Sequence, residues 1–155
     1  MISGIQKING HDLYWQWYGP QTGRTIVLLH HGLGSIRSWK RQIPAMVASG
    51  FNVFSHDRWG YGRSEPRKEF AARFLHQDAD ETISLLQAVG IENANFIGHS
   101  DGGSIALIIA NQFPSFVQKL ILVAAHIYIE PKMSKGLKLI QFASNSPPLK
   151  TALEQ

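Results

Sequence analysis

Three short apolar runs, each ending in a glycine-rich turn, constrain this chain more than any other feature. Thr25-Ile26-Val27-Leu28-Leu29 leads into His30-His31-Gly32-Leu33-Gly34-Ser35. Phe51 to Asp57 leads into Arg58-Trp59-Gly60-Tyr61-Gly62-Arg63-Ser64, and Asn95 to Ile97 into Gly98-His99-Ser100-Asp101-Gly102-Gly103. Apolar, β-branched runs of this length read as buried strands. Helical patterns lie between them, and helices between parallel strands make a doubly wound sheet.

The first helical pattern is Ser35 to Ser49, capped by Ser35 or Ser38 and ended by Gly50, with Pro44 predicting a kink or a split. Phe70 to Val89 is the longest, placing Phe74, Ala79, Ile83, Leu86 and Val89 near helical spacing ahead of Gly90. Ser104 to Ala110 is the third, and Val117 to Ala125 reads as the strand after it. Ahead of these, Ile2 to Ile8 and Asp12 to Tyr18 flank Asn9-Gly10, a type I′ turn signal that predicts an antiparallel hairpin.

The turn around Ser100 carries the chemistry. A serine at a sharp strand-to-helix turn has its hydroxyl pushed outward, and Gly98, Gly102 and Gly103 leave room for strand and helix to approach. The helix that follows aims unpaired N–H groups at the reacting centre, which favours the negative charge of acyl transfer. The order strand, H-G-x-G, helix, strand, D-x-x-G-x-G-x-S, helix, strand, G-x-S-x-G resembles the α/β-hydrolase fold family. Gly98 to Gly103 and Asp57 to Ser64 look like its AB hydrolase-1 type serine hydrolases, in their N-terminal portion.

The resemblance implies Ser100 as nucleophile, the backbone N–H groups of Leu33 and Asp101 as oxyanion hole, Gly32 and Gly34 as glycines of the oxyanion loop, and Asp57 to Ser64 as rim and sheet brace. It also implies a catalytic acid and histidine well downstream of the elbow. After Ser100 the sequence holds Asp101, Glu130 and Glu154 as acids and His126 as its one histidine. The expected acid and histidine are therefore absent from the chain as given, with His126 as substitute base. The reading is an α/β-hydrolase-fold serine hydrolase of carboxylic ester or related acyl bonds, inactive or weakly active as these residues alone. The alternative is a non-catalytic or partner-dependent truncated hydrolase-fold protein. Lyase or cofactor-free haloperoxidase chemistry stays open on the same fold.

His99, by strand alternation, is expected to point away from the nucleophile into the core or toward a neighbouring strand. His30 and His31 end their strand near the pocket floor, while His11, His56 and His76 carry no motif. Trp39, Trp59, Tyr61 and Tyr128 read as core or rim aromatics. Residues 1–130 are expected to form the incomplete hydrolase core and 131–155 the start of a helical cap. Leu120 to Ala125 would then be an exposed apolar edge, inviting a homo-oligomer or a complementing chain.

Among the 155 residues, 15 basic and 11 acidic side chains leave a net charge of +4 without a clustered basic face, so no nucleic-acid partner is expected. There are no cysteines, and no His, Asp or Glu spacing suggests a metal site. Met1 to Trp15 lacks the charged and apolar segments of a signal peptide, and no run approaches a membrane span. The expectation is a cytoplasmic protein acting on a small-molecule substrate without cofactor.

Overall fold

Asn9 and Gly10 both take positive φ, 50° and 92°, the pair of values a type I′ turn demands. They join β1 (Ile2–Ile8) to β2 (His11–Tyr18) in antiparallel register, with Ile8 opposite His11 and Ile2 opposite Trp17. A computed structural model describes residues 1–128. Four further strands follow: β3 (Thr25–Leu29), β4 (Asn52–His56), β5 (Ala94–His99) and β6 (Val117–Val123). The sheet order is β1-β2-β4-β3-β5-β6. β2 pairs antiparallel with β4, while β4, β3, β5 and β6 run parallel.

All residues of β3 and β4 are buried, as strands covered on both faces must be. Side chains alternate between the faces. Val27 and Leu29 join Phe54, Phe96, Leu86 and Ile105 in the larger core, whereas Ile26 and Leu28 join Val53, Trp39 and Ile43 in the smaller one. The smaller core lies under α1 (Gln42–Ala48) and the larger under α2 (Phe74–Ala88) and α3 (Asp101–Gln112). Helices thus cover both faces of the sheet, the doubly wound arrangement. Phe54 and Phe96 are fully buried, each contributing about 2 kcal/mol of apolar transfer free energy.

Two helices differ from the sequence pattern. The stretch from Ser35 to Ser49 is split, but the break falls at Lys40-Arg41, ahead of Pro44, between a 3-10 turn (Ile36–Trp39) and α1. Pro44 sits in the first turn of α1, where the missing N–H had no helical acceptor. Ser35 caps the 3-10 turn: its hydroxyl accepts from Arg37 N, and Ser38 Oγ accepts from Ser35 N, both at 3.3 Å. The long helix begins at Phe74 rather than Phe70. Phe70 instead packs edge-on against Tyr61 and Phe74, with centroids 5.8 and 5.3 Å away, covering the guanidinium of Arg67 at 5.2 Å.

These elements form one compact unit, Met1–Ala125, and His126 begins a second unit. β6 lies at the edge of the sheet, and Ile121, Leu122 and Val123 on it are 55%, 39% and 46% exposed. The cap expected over 131–155 lies outside the described residues. Among the described residues, no helix is long and apolar enough to cross a membrane.

Candidate active site

Ser100 sits between the last residue of β5 and the first of α3 with φ 53° and ψ −120°. An L-residue is strained there. Neighbours hold it in place: Ser100 N donates to Val123 O at 2.8 Å, and Ser100 O accepts from Gly103 N at 2.8 Å and Ser104 N at 3.1 Å. Its side chain does not cap the helix. The N–H groups of Asp101 and Gly102 are thereby left at the open N-terminus of α3.

Glycine is required here for close approach. A Cβ on Gly98 would overlap the carbonyl of Gly102, and one on Gly102 would overlap the carbonyl of Leu29 and lie 2.7 Å from that of His30. Both obstacles are backbone, which cannot swing aside. Gly103 faces Ala125, Gly32 faces the Asp101 carboxylate, and Gly34 faces Ser38 Oγ and the His31 ring. The turn after β3 and the turn after β5 therefore meet directly, and the glycines of both motifs converge on one place.

Leu33 is 63% exposed, and its N–H donates to His31 Nδ1 at 3.3 Å, a long bond for N–H to an imidazole. An incoming anion would have to draw that N–H from a weak partner. His31 accepts at Nδ1, so it is neutral, and burial, then the neighbouring His99 and Arg58, lowers its pKa. His99 is half-buried and does not turn into the core. Its ring meets that of His31 edge-on with centroids 5.2 Å apart, on a cleft that Ser38, Trp39 and Gln42 complete. His30 is fully buried, and burial and Arg58 hold its pKa well below the usual range.

The D-x-x-G-x-G-x-S segment is a clamp. Asp57 Oδ1 accepts from Ile36 N at 2.6 Å and Oδ2 from Arg63 N at 2.9 Å, tying the 3-10 turn to the loop. Ser64 Oγ donates to Asp57 O and accepts from Tyr14 N at 2.9 Å. Burial nevertheless raises the Asp57 pKa, against these two donors.

Behind the clamp lies a polar cluster that the apolar pattern of α2 does not announce. Asp78 accepts from Arg58 Nη1 and Arg67 Nη1, each at 2.8 Å, and all three side chains are at most 1% exposed. The guanidinium faces lie on rings, Arg58 over Tyr61 at 4.4 Å and Arg67 over Trp59 at 4.2 Å. These contacts satisfy the flat faces by cation–π attraction. Trp59 also stacks on His11 at 3.5 Å. Tyr128 is exposed and His126 is exposed, and both lie outside the unit that carries Ser100.

Glu81, buried beside this cluster and 3.9 Å from His11, is pushed up to about 7 by burial, then by Asp78, with Arg67 opposing. The folded state keeps this proton where the unfolded chain, near the ordinary glutamate value of about 4.3, has released it. Stability therefore falls as pH rises from that value to about 7. His56, lowered to about 3 by burial, acts oppositely, since its folded state stays unprotonated where the unfolded chain gains a proton. The wild-type curve mixes both, and a difference isolates Glu81. Glu81→Gln is expected to match wild type in urea melts at pH 4.5 and to exceed it at pH 8. Equal stability at both pH values would refute the assignment.

A mixed sheet with helices on both faces, and a strained serine among glycines where β5 enters α3, define an α/β-hydrolase-type core. The chain belongs to the alpha/beta hydrolase fold family, whose family model matches residues 25–149. It is 32% identical over 131 residues to the human serine hydrolase BPHL, an alignment covering 83% of this chain and 45% of that protein. It is 32% identical to a non-heme chloroperoxidase of Streptomyces lividans, covering 85% of this chain and 46% of that one. Against a bifunctional esterase/perhydrolase of Acinetobacter calcoaceticus the identity is 29%, over 82% and 45%. The chain thus spans about half the length of the curated relatives it matches. The fold is shared with a crystal structure of a Pseudomonas aeruginosa hydrolase at TM-score 0.81 and 20% identity, covering 94% of this chain and 54% of that one.

Proposed function

We propose that the protein is a serine hydrolase acting on carboxylic esters or related acyl bonds, with Ser100 as nucleophile. The observation that carries this reading is the strained backbone of Ser100 at the junction of β5 and α3, beside an open helix N-terminus. Ser100 Oγ would attack the acyl carbonyl carbon, and the oxyanion would take the N–H groups of Asp101 and Leu33. Collapse would expel the alcohol and leave the acyl group on Ser100, which water then hydrolyses. The names of the serine hydrolase and esterase relatives support this class.

The hydroxyl proton needs a base within hydrogen-bond reach, and His126 is the histidine this sequence carries after the elbow. The close backbone approach at Gly98 and Gly102 supports a second reading, in which the elbow is kept for folding and the chain is non-catalytic or depends on a partner.

Treating the whole chain with a fluorophosphonate probe and mapping the adduct by mass spectrometry separates these readings. The proposal expects an adduct on Ser100, none in Ser100→Ala, and hydrolysis of a short-chain nitrophenyl ester that disappears in the same variant. Absence of both adduct and turnover in the wild-type protein would favour the second reading. With an adduct present, slower labelling of His126→Ala would assign the base, and unchanged labelling would remove His126 from that role.

A further inference from the structure

We propose that Arg58 is a positioning residue for the acyl-transfer site, holding the His31 carbonyl and the Asp101 carboxylate together so that the Leu33 and Asp101 N–H groups serve one anion. The inference rests on the Ser100 reading for its chemistry and on independent contacts for its geometry. Arg58 is 1% exposed, although its motif places it on a loop. Its Nη1 is fixed on Asp78, and its plane lies over Tyr61. That leaves Nη2 aimed at the two turns that meet at Ser100. It donates to His31 O at 3.2 Å and lies 3.7 Å from Asp101 Oδ2.

The backbone of Arg58 reinforces the same link. Arg58 N donates to His30 Nε2 at 3.1 Å, which leaves His30 Nδ1 as the protonated nitrogen, and Nδ1 lies 2.8 Å from His31 O. The His31 carbonyl therefore accepts from His30 and from Arg58, besides the turn bond it takes from Gly34 N at 3.0 Å. With three donors on one carbonyl, two of them brought by the Arg58 and His30 side chains, the peptide entering Gly32 and Leu33 has its orientation set. One arginine reaches the residue before the first donor turn and the side chain of the second donor.

Charge favours the same role for Arg58. A carboxylate at the first residue of α3 suits the helix N-terminus, but it also sets a negative charge beside the oxyanion that the same N-terminus would stabilise. Arg58 is a buried cation near enough to offset Asp101. A lysine cannot replace it, because a single ammonium on Asp78 cannot also span to His31 O and Asp101.

Arg67 supplies the control, since it binds the same Asp78 from the other side and directs its second amino group to Gln77 rather than toward the two turns. Arg58→Lys and Arg67→Lys should be compared with wild type in the whole chain, reading the fluorophosphonate labelling rate at Ser100 and the amide resonances of Leu33 and Asp101. The expectation is labelling slowed at least about tenfold in Arg58→Lys at unchanged probe affinity, as for a misplaced oxyanion donor, with both resonances displaced. Arg67→Lys should label near the wild-type rate with both resonances in place. Equal slowing by the two variants, a wild-type rate in Arg58→Lys, or unmoved resonances in that variant would each overturn the proposal. If Arg58→Lys does not fold, adding Asp78→Glu lengthens the carboxylate toward the shorter cation. That folded double variant should still label slowly, and fast labelling overturns the role. Wild-type protein unlabelled at Ser100, with resonances moved by Arg58→Lys alone, would remove the nucleophile reading and leave the positioning contact standing.

Discussion

Gly102→Ala is expected to destabilise the protein by about 3 kcal/mol or more, enough to remove a large part of a typical domain stability of about 5–15 kcal/mol. Alanine favours a helix interior over glycine by ~1 kcal/mol, so on propensity alone the change would be mildly stabilising. Sterics decide the sign. The new methyl group would lie against the carbonyls of Leu29 and His30, and neither can retreat without moving the end of β3, whose residues are packed in both cores. Gly90→Ala is the comparison. Gly90 has φ 81° but nothing within 4 Å of an added Cβ, so only the backbone term of about 1 kcal/mol applies. Urea melts of the two variants should therefore differ by about 2 kcal/mol. A Gly102→Ala protein as stable as Gly90→Ala would mean that α3 does not rest on β3 as described.

The second large effect is expected at Asp78. Asp78→Ala leaves two buried guanidiniums without their shared carboxylate, and breaking a buried pair from one side costs about 3–5 kcal/mol. Arg58 keeps His31 O and Arg67 keeps Gln77 Oε1 at 2.6 Å, so the loss should sit toward the lower end of that range. Replacing all three charges together, Arg58→Met with Asp78→Leu and Arg67→Met, removes the uncompensated charge and should recover most of the stability. Denaturant midpoints of the single and triple variants test this. A triple variant no better than Asp78→Ala would show that the cluster stabilises the fold by more than mutual neutralisation.

The parts of the fold that follow from apolar periodicity and turn chemistry are legible in the chain. Asn9-Gly10 specifies its hairpin, Thr25 to Leu29 its doubly covered strand, and Gly98, Gly102 and Gly103 their close contacts, because each property depends on a few adjacent residues. The parts that depend on distant partners are not. Nothing local to Asp78, Glu81 or Thr82 distinguishes them from the solvent face of α2, yet they are buried, because Arg58 and Arg67 reach Asp78 from a loop ahead of the helix while His11 and His56 lie beside Glu81 and Thr82. Phe70 has helix-compatible neighbours but is drawn out of α2 to cover Arg67. His99 keeps the alternation of β5 and turns toward the end of the neighbouring strand, but its partner there, the His31 ring, is set by the meeting of two distant turns. The motif spacing around Arg58 was the available signal for that cluster, and it marks a rim without saying that the arginine is internal.

The position of β3 in the sheet has a consequence for how this chain is made. Its register partners are Asn52 to Ser55 on one side and Asn95 to Gly98 on the other, both later in the sequence. During synthesis from the N-terminus, β1 and β2 can close on each other at once through a two-residue turn. The five residues of β3, four of them apolar, must wait for the chain to extend through Gly98 before both edges are paired, and such non-local pairing is slow. For that interval the most hydrophobic of the described strands is an unprotected surface, the kind that molecular chaperones bind and that aggregation exploits.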